Sequence, residues 1–470
     1  MIYYKVPKES KGIFMSFNTL LTQLGEFLFL AFPCSIVVSV LLFALYRFIF
    51  KKNIKTWKFF PCFLFILNIV LIIYLTFLSR SENYGEIDLH LFRSYREAWN
   101  TFSIRNWQLV IFNIVLFSPL GMLLPVLQRW FRKFHRTVGF GFLFSMTIEL
   151  GQRLTQRGLC ELDDLFNNTL GVLLGYCVFF FFYTFMDKKA SHRPPKIILS
   201  LLPVVLTVCT FSTIFYRYYT QPYGNLPVDY TYKTDLSDTN IRLMDSVKLN
   251  GKSISAPVFI PSGYTEQEAE LFASSLLDRM GVSGNTHYSH YDDSIICYRG
   301  HHNVTVYLQD QSFEYHYVND AVANWGDMGT QNVKDRLAAY EIDIPDDAIY
   351  THPSEGVYKW SIERSVSSVG NVSGTLTCYT TTDGEIYSID YQFIRQSLYK
   401  KEPIINETEA YQKLVDGYFQ IEHNLKVKTL VINGVSLTYS PDTKGFYQPV
   451  WLFNCEINGE NRDLVVTALK

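Results

Sequence analysis

Charge is scarce in this chain of 470 residues: 18 % are Asp, Glu, Lys or Arg, below the quarter usual in soluble domains. The signed excess is small too, 42 basic against 44 acidic residues and a formal net charge of −2. No basic patch is visible, so nucleic acid is not an expected partner. Cysteine is thin and lacks a framework. Cys34, Cys62, Cys160, Cys177 and Cys209 fall in or beside apolar runs. Cys297, Cys378 and Cys455 are an odd number without metal-ligand spacing; a disulfide between two of them stays open, and no metal or cofactor is expected. His287, His290, His301, His302 and His316 are scattered and form no nucleophile–base set. A cleavable leader is missing as well. Lys5, Lys8 and Lys11 precede an apolar stretch, but no small-residue cleavage site follows and the apolar run continues to Phe50, which reads as an uncleaved span.

What the chain does have is two unlike halves, hidden by a mean hydropathy of +0.05. Residues 1–217 are rich in Phe, Leu, Ile and Val, with several runs near the ~20 residues that a helix needs to cross a bilayer core. Residues 218–470 look like ordinary soluble protein, long enough to bury a core of their own. The expected fold class is therefore a polytopic α-helical membrane domain of about six spans followed by an α+β extracytoplasmic domain. The boundaries read as an N-terminal segment 1–24, a transmembrane domain 25–217 and an outer domain 218–470. The six spans are expected at 25–47, 59–79, 107–127, 137–151, 165–186 and 197–216.

Basic residues orient these spans. Arg47, Lys51, Lys52, Lys55 and Lys58 follow the first, Arg129, Arg132, Lys133 and Arg136 the third, and Lys188, Lys189, Arg193 and Lys196 the fifth. Those three connections are expected in the cytoplasm, which puts the N-terminus and residues 218–470 outside. Lys5, Lys8 and Lys11 run against this placement of the N-terminus.

The same orientation gathers polar residues at the outer surface. Arg80 ends the second span, Asn113 lies about two turns inside the third, Glu149 and Gln152 close the fourth, and Asp163, Asp164 and Asn168 open the fifth. Helical spacing puts Gly141, Ser145, Glu149 and Gln152 on one face, and Asn113, Phe117 and Gly121 on another. Pro119 is expected to loosen the third span. Asn168, Gly171 and Gly175 share a face too, and the small-xxx-small pattern GVLLG suits close helix packing at Gly171 and Gly175. The fourth span is short, and an acid near its end suggests a hydrated recess or a thinned bilayer. A membrane-buried Glu costs roughly 2.5–3.5 kcal/mol on insertion scales and usually has a partner; Arg80 or Arg157 could supply the charge, and Asn113 and Asn168 the amide donors. A structural clamp explains this set as well as an outward pocket for a lipid headgroup, a glycan precursor or another amphiphile. Asp163 and Asp164 also suit a helix N-terminus.

NIVLFSPLGMLLPVL (113–127), SMTIELGQ (145–152), an Arg, and ELDDLFNNTLGVLLGY (161–176) together resemble the VanZ-like family, named for its association with teicoplanin resistance. The resemblance covers roughly residues 60–186. Positions matching the family's recurring polar residues are Arg80, Asn113, Glu149, Gln152, Arg157, Asp163, Asp164 and Asn168. Glu161 stands where Asp is frequent, and Cys160 where an aromatic is frequent. The resemblance implies a cell-envelope role with lowered sensitivity to lipoglycopeptide antibiotics, and no agreed reaction.

In the outer half, QPYGNLPVDYTYKTDLSDTN reads as a polar linker. PSGYTEQEAELFASSLLDRMG (261–281) and INETEAYQKLVDGYF (405–419) then echo one another, each opening on a capping box, Thr265…Glu268 and Asn406…Glu409. NVKDRLAAY precedes another strand set, with a hairpin turn at Asp383–Gly384 and alternation of Tyr387, Ile389, Tyr391 and Phe393. The expected outer domain is thus a repeated helix-plus-antiparallel-sheet unit, two or three similar modules, resembling PepSY and YycI-type extracytoplasmic modules in pattern.

The leading reading is a non-enzymatic multi-pass protein of the cell membrane. Its partners would be membrane lipids and a cell-wall precursor or glycopeptide-like amphiphile; the sequence identifies no protein partner. A membrane enzyme acting on a lipid headgroup, with Glu149 as acid or base and Asp163 and Asp164 as metal or substrate ligands, is second. An envelope sensor acting through the outer domain is third.

Overall fold

The computed structural model describes residues 40, 59–78, 87–156, 158, 160–186, 199–291, 293–318, 325–366, 370–422 and 425–470. The chain divides into two compact units, Met1–Lys233 and Thr234–Lys470.

In the first unit, helix α1 (Phe59–Ile73) runs into a π-helical turn at Tyr74–Leu78. A two-residue strand β1 (Ile87–Asp88) and a short helix α2 (Arg93–Thr101) follow. Then come α3 (Ile104–Leu127), α4 (Phe134–Thr155), strand β2 (Cys160–Glu161), α5 (Leu162–Met186) and α6 (Leu202–Thr220). Among the described residues three helices are long and apolar enough to cross a membrane: Phe59–Thr76, Ile104–Leu127 and Leu162–Met186. These coincide with the expected spans at 59–79, 107–127 and 165–186. The span expected at 137–151 falls within α4, which also carries Arg136, Glu149 and Arg153, and that at 197–216 overlaps α6; neither helix joins the apolar set. Of the span expected at 25–47 only residue 40 is described.

Helix α3 does not loosen at Pro119; it stays one helix through both Pro119 and Pro125. A proline at position 119 lacks the N–H that would bond the Val115 carbonyl. The Ser118 Oγ donates to that carbonyl instead, at 3.0 Å. Helices α3 and α5 touch backbone to backbone. A Cβ built on Gly171 would lie 2.2 Å from the Ile114 carbonyl oxygen, one on Gly175 1.8 Å from that of Ser118, and one on Gly121 2.0 Å from that of Val172. Around this crossing Ile72, Phe117, Leu120, Leu124, Ile148 and Val172 form the buried core.

The described residues of the second unit form one continuous sheet with three helices. Its strand order is β3-β14-β15-β4-β13-β11-β12-β8-β7-β6-β5, with β9 and β10 beside β11 and β16 beside β15. Here β3 is Asn240–Leu243, β4 Ile254–Pro261, β5 Thr286–His290, β6 Ser294–Arg299, β7 His302–Tyr307 and β8 Phe313–Tyr317. Strands β9 (Ile349–Ser354), β10 (Val357–Val366), β11 (Gly370–Thr380), β12 (Ile386–Tyr391) and β13 (Ile394–Ile404) follow, then β14 (Thr429–Pro441), β15 (Tyr447–Ile457) and β16 (Glu460–Thr467). Helices α7 (Glu266–Arg279), α8 (Thr330–Ala339) and α9 (Glu407–Val415) each precede a strand group. Both expected capping boxes form: Glu268 N donates to Thr265 Oγ1 and Thr265 N to Glu268 Oε2, with the same exchange between Asn406 and Glu409. The turn at Gly384 adopts φ +76°, a region open to glycine at no steric cost.

The modules do not keep separate sheets. Helices α7 and α8 bury Ala273, Leu276, Leu277, Val333 and Leu337 in one shared core, while α9 buries Ala410 and Leu414 in another. Strand β3 departs from the antiparallel pattern by pairing parallel to β14. Cys297, Cys378 and Cys455 are buried free thiols, the first two in one core and the third in the other.

Candidate polar site at the head of the membrane helices

The site grows from the orphan donors of α2. The residue before that helix, Phe92, has φ +66° and offers no side-chain acceptor, so the first-turn N–H groups need an oxygen from elsewhere. Asp163, in the first turn of α5, supplies it: its carboxylate accepts from Phe92 N at 2.5 Å, Ser94 N at 2.8 Å and Ser94 Oγ at 2.6 Å. One helix thereby caps another.

The chain just before α2 is held by a second carboxylate. Strand β1 pairs parallel with β2, setting Asp88 beside Glu161. Asp88 accepts from His90 N at 2.9 Å and Arg93 Nη1 at 2.5 Å, and its Oδ1 lies 2.8 Å from His90 Nδ1. Burial opposes ionisation of this carboxyl, but the His90 N–H and the Arg93 guanidinium outweigh it and hold the group below its ordinary value. Burial would also lower the Arg93 pKa; Asp88 reverses that, and the guanidinium ends above its usual range.

Helical spacing explains how α5 reaches three neighbours at once. Asp163 and Asn167, four apart, both face α2, where Asn167 Oδ1 accepts from the Tyr95 hydroxyl. Burial first, then the nearby Asp163 charge, pushes the Tyr95 phenol up. Asp164 and Asn168, one residue round, face the other way: Asp164 accepts from Asn113 of α3, and Asn168 donates to Ser145 Oγ of α4 at 2.9 Å. This second stripe continues through Gly171 and Gly175, so the polar contacts and the close backbone crossing share one line along α5.

Helix α4 answers with its own stripe, Gly141, Ser145, Glu149 and Gln152, all buried. Gly141 meets the Val172 side chain. Glu149 accepts from Glu161 N at 3.2 Å, and Gln152 Nε2 donates to the Thr76 carbonyl in the π-helical turn at 2.8 Å. The amide donors expected for Glu149 are used elsewhere: Asn113 reaches Asp164 and Asn168 reaches Ser145. Arg80 and Arg157 lie outside the described residues. The structure thus brings together Asn113, Glu149, Gln152, Asp163, Asp164 and Asn168 among α1 to α5.

Above these bonds sits a cavity of about 320 Å³. Its described lining holds five carboxylates, Asp88, Glu97, Glu161, Asp163 and Asp164, against the cation Arg93 and the imidazole of His90. Leu109 of α3 also lines it and is 60 % exposed. Sequence reasoning missed Asp88, Arg93, Ser94 and Tyr95. The signal was the spacing of Tyr95, Ala98 and Trp99 in RSYREAWN, one apolar face of a short helix.

The stretch read as a linker is partly docked in the first unit. Asn225 Nδ2 donates to the Trp99 carbonyl, Asn100 Nδ2 to the Asp229 and Tyr230 carbonyls, and Tyr232 stacks on His90. Arg96 lies over the Tyr230 ring at 4.4 Å. Aromatic and amide groups give this segment contacts that a polar linker would lack.

Residues 63–183 match the family model described as VanZ/LLP1. The Bacillus megaterium YpeB C-terminal domain, a solved structure, is similar at 10% identity over 44% of this chain and 94% of that chain, with a TM-score of 0.22. No curated protein matches the chain. With its three membrane-length helices and this VanZ-like segment, the chain is a membrane protein.

Proposed function

We propose that this VanZ-like membrane protein serves the cell envelope by binding the polar head of an amphiphile, a lipid or a lipid-linked wall precursor, in the acid-rich cavity above α5. The cavity opens on the extracytoplasmic side, and residues 234–470 lie on that side too. The basic connections at 129–136 and 188–196 support this orientation. By occupying or presenting that ligand the protein lowers sensitivity to lipoglycopeptide antibiotics.

The observation that carries the reading is the union of polar and apolar surface at one place. The cavity's excess of carboxylates suits a head rich in N–H and O–H donors. Leu109 begins an exposed apolar line along α3 that continues through Phe112 and Val115, suited to an acyl chain. Asp163 is engaged as a helix cap, which favours binding over general-base chemistry at that carboxylate.

The test uses two substitutions on the cavity wall that break none of the bonds described above, Glu97→Lys and Leu109→Trp. Minimum inhibitory concentrations of a lipoglycopeptide are measured for cells expressing each at equal membrane levels. Both are expected to return sensitivity to that of cells without the protein. Full protection by both variants contradicts the reading.

A further inference from the structure

The lining of the cavity above α5 narrows the head that it can take. Resting on the envelope reading, we infer that this head carries a primary ammonium beside an oxygen acceptor. The ligand is then an aminated amphiphile, and a head with phosphate as its only charge is refused.

Charge is the first observation. The described lining holds one guanidinium and one imidazole, and both contact Asp88. That guanidinium also feels the charges of Glu97 and Glu161. Asp163 is 3 % exposed, and its bonded donors, Phe92 N, Ser94 N and Ser94 Oγ, are all neutral. A buried anion is ordinarily matched by a cation. A carboxylate offers about four lone-pair sites, and Asp163 Oδ1 accepts only from Phe92 N. Glu97 stands three residues on from Ser94, and residues so spaced lie about 5–6 Å apart at Cβ on one helix face. A metal ion would need ligands converging on one point, and among the described residues no three His, Cys, Asp or Glu side chains do so. An ammonium asks less, because its N–H donors can go to separate oxygens.

Asn167 is the second, independent observation. It is 1 % exposed and lines the cavity. Its Oδ1 accepts from the Tyr95 hydroxyl, and its Nδ2 donates to nothing among the described residues. Unlike the unpartnered Asn168 Oδ1, this nitrogen is not sealed, so a ligand in the cavity can reach it. A donor left unmade favours an oxygen brought by the ligand. Aminoalkyl and aminoacyl esters place such an oxygen next to an ammonium. The volume of about 320 Å³ sits at the lower end of the roughly 300–1,000 Å³ usual for ligand pockets, a space for a head whose tail lies outside along α3.

Two sources share this chemistry, a membrane aminolipid and a phosphate-free cationic amphiphile, and the probes separate them. Phosphatidylethanolamine stands for the first and alanine dodecyl ester for the second, each beside its N-acetyl form, with phosphatidylglycerol as the anionic lipid. Retention by the full chain released from detergent micelles is read by native mass spectrometry. Each amine should be retained about tenfold more than its N-acetyl form, and phosphatidylethanolamine about tenfold more than phosphatidylglycerol. The better retained amine identifies the source. Glu97→Gln should narrow the amine preference about threefold. Asn167→Asp still accepts from Tyr95 and should widen it, because a donor to oxygen becomes an acceptor of N–H; if that variant does not fold, Glu97→Gln decides. Equal retention of the amines and their N-acetyl forms overturns the inference, as does a preference for phosphatidylglycerol. If phosphatidylglycerol is retained and Leu109→Trp abolishes that retention, the amphiphile reading stands while the ammonium falls. If none of the probes is retained, both fall.

Discussion

Asp163 shows how one side chain joins two elements. Its carboxylate satisfies Phe92 N and Ser94 N of α2 while sitting in the first turn of α5, where negative charge is also favoured by that helix's own dipole. Replacing Asp163 with Ala should cost about 1–2 kcal/mol, the range for a lost helix cap, read as a lower unfolding midpoint in detergent. Asp163→Asn keeps an oxygen acceptor and should lose less. Equal stability of Asp163→Ala and the parent would rule out the capping role. Asp88 gives the pH signature. Its folded pKa lies below the ordinary 3.8, so its contribution is complete above that value and is lost as pH falls through the folded pKa. Acidification from about pH 5 to about pH 3 should therefore destabilise the parent more than Asp88→Asn, measured by unfolding at each pH. The polar character of Asn113, Glu149, Asp164 and Asn168 was readable from spacing. Their pairings were not, because amide side chains reach only what lies level with them, and Asn168 lies level with Ser145 rather than Glu149.

Between elements, the decisive contact is the crossing of α3 and α5. Gly171 and Gly175 sit four residues apart against the carbonyls of Ile114 and Ser118, also four apart, so two matched rows meet without side chains between them. A Cβ there meets backbone, which cannot rotate away. Gly171→Val should cost about 3 kcal/mol or more, the upper end of overpacking, seen as loss of folded protein by size-exclusion chromatography. Gly139→Ala, with nothing within 4 Å of the new carbon, is the control and should fold normally. Similar yields of the two variants would contradict the close approach. GVLLG signals this contact in the sequence because small residues at helical spacing have few other uses in an apolar run. Helix α2 left a weaker trace. It has nine residues, two basic and one acidic, and its cap comes from a residue about seventy positions away. Local reading cannot supply that partner. The capping boxes of α7 and α9 were legible for the opposite reason, since donor and acceptor lie three residues apart.

At the scale of the whole molecule, composition separates an apolar first half from a mixed second half, and the structure divides at Lys233 rather than near the end of the last apolar run. The difference comes from residues 221–233, whose amides and aromatic rings hold them against α2. Strand alternation was enough to read antiparallel sheet after each helix of the second unit. It did not reveal that one sheet runs through all the strand groups, because β4, β11 and β13 join across long sequence separations that no periodicity records. The account as a whole depends on which membrane face carries the polar cavity. Thr155 closes α4 next to Gln152 and is exposed. The direct test is Thr155→Cys treated in intact cells with a membrane-impermeant maleimide, scored as labelling above that of the parent chain. Labelling before the cells are opened is the predicted result, and labelling only after permeabilisation would place the cavity on the cytoplasmic side and contradict the account.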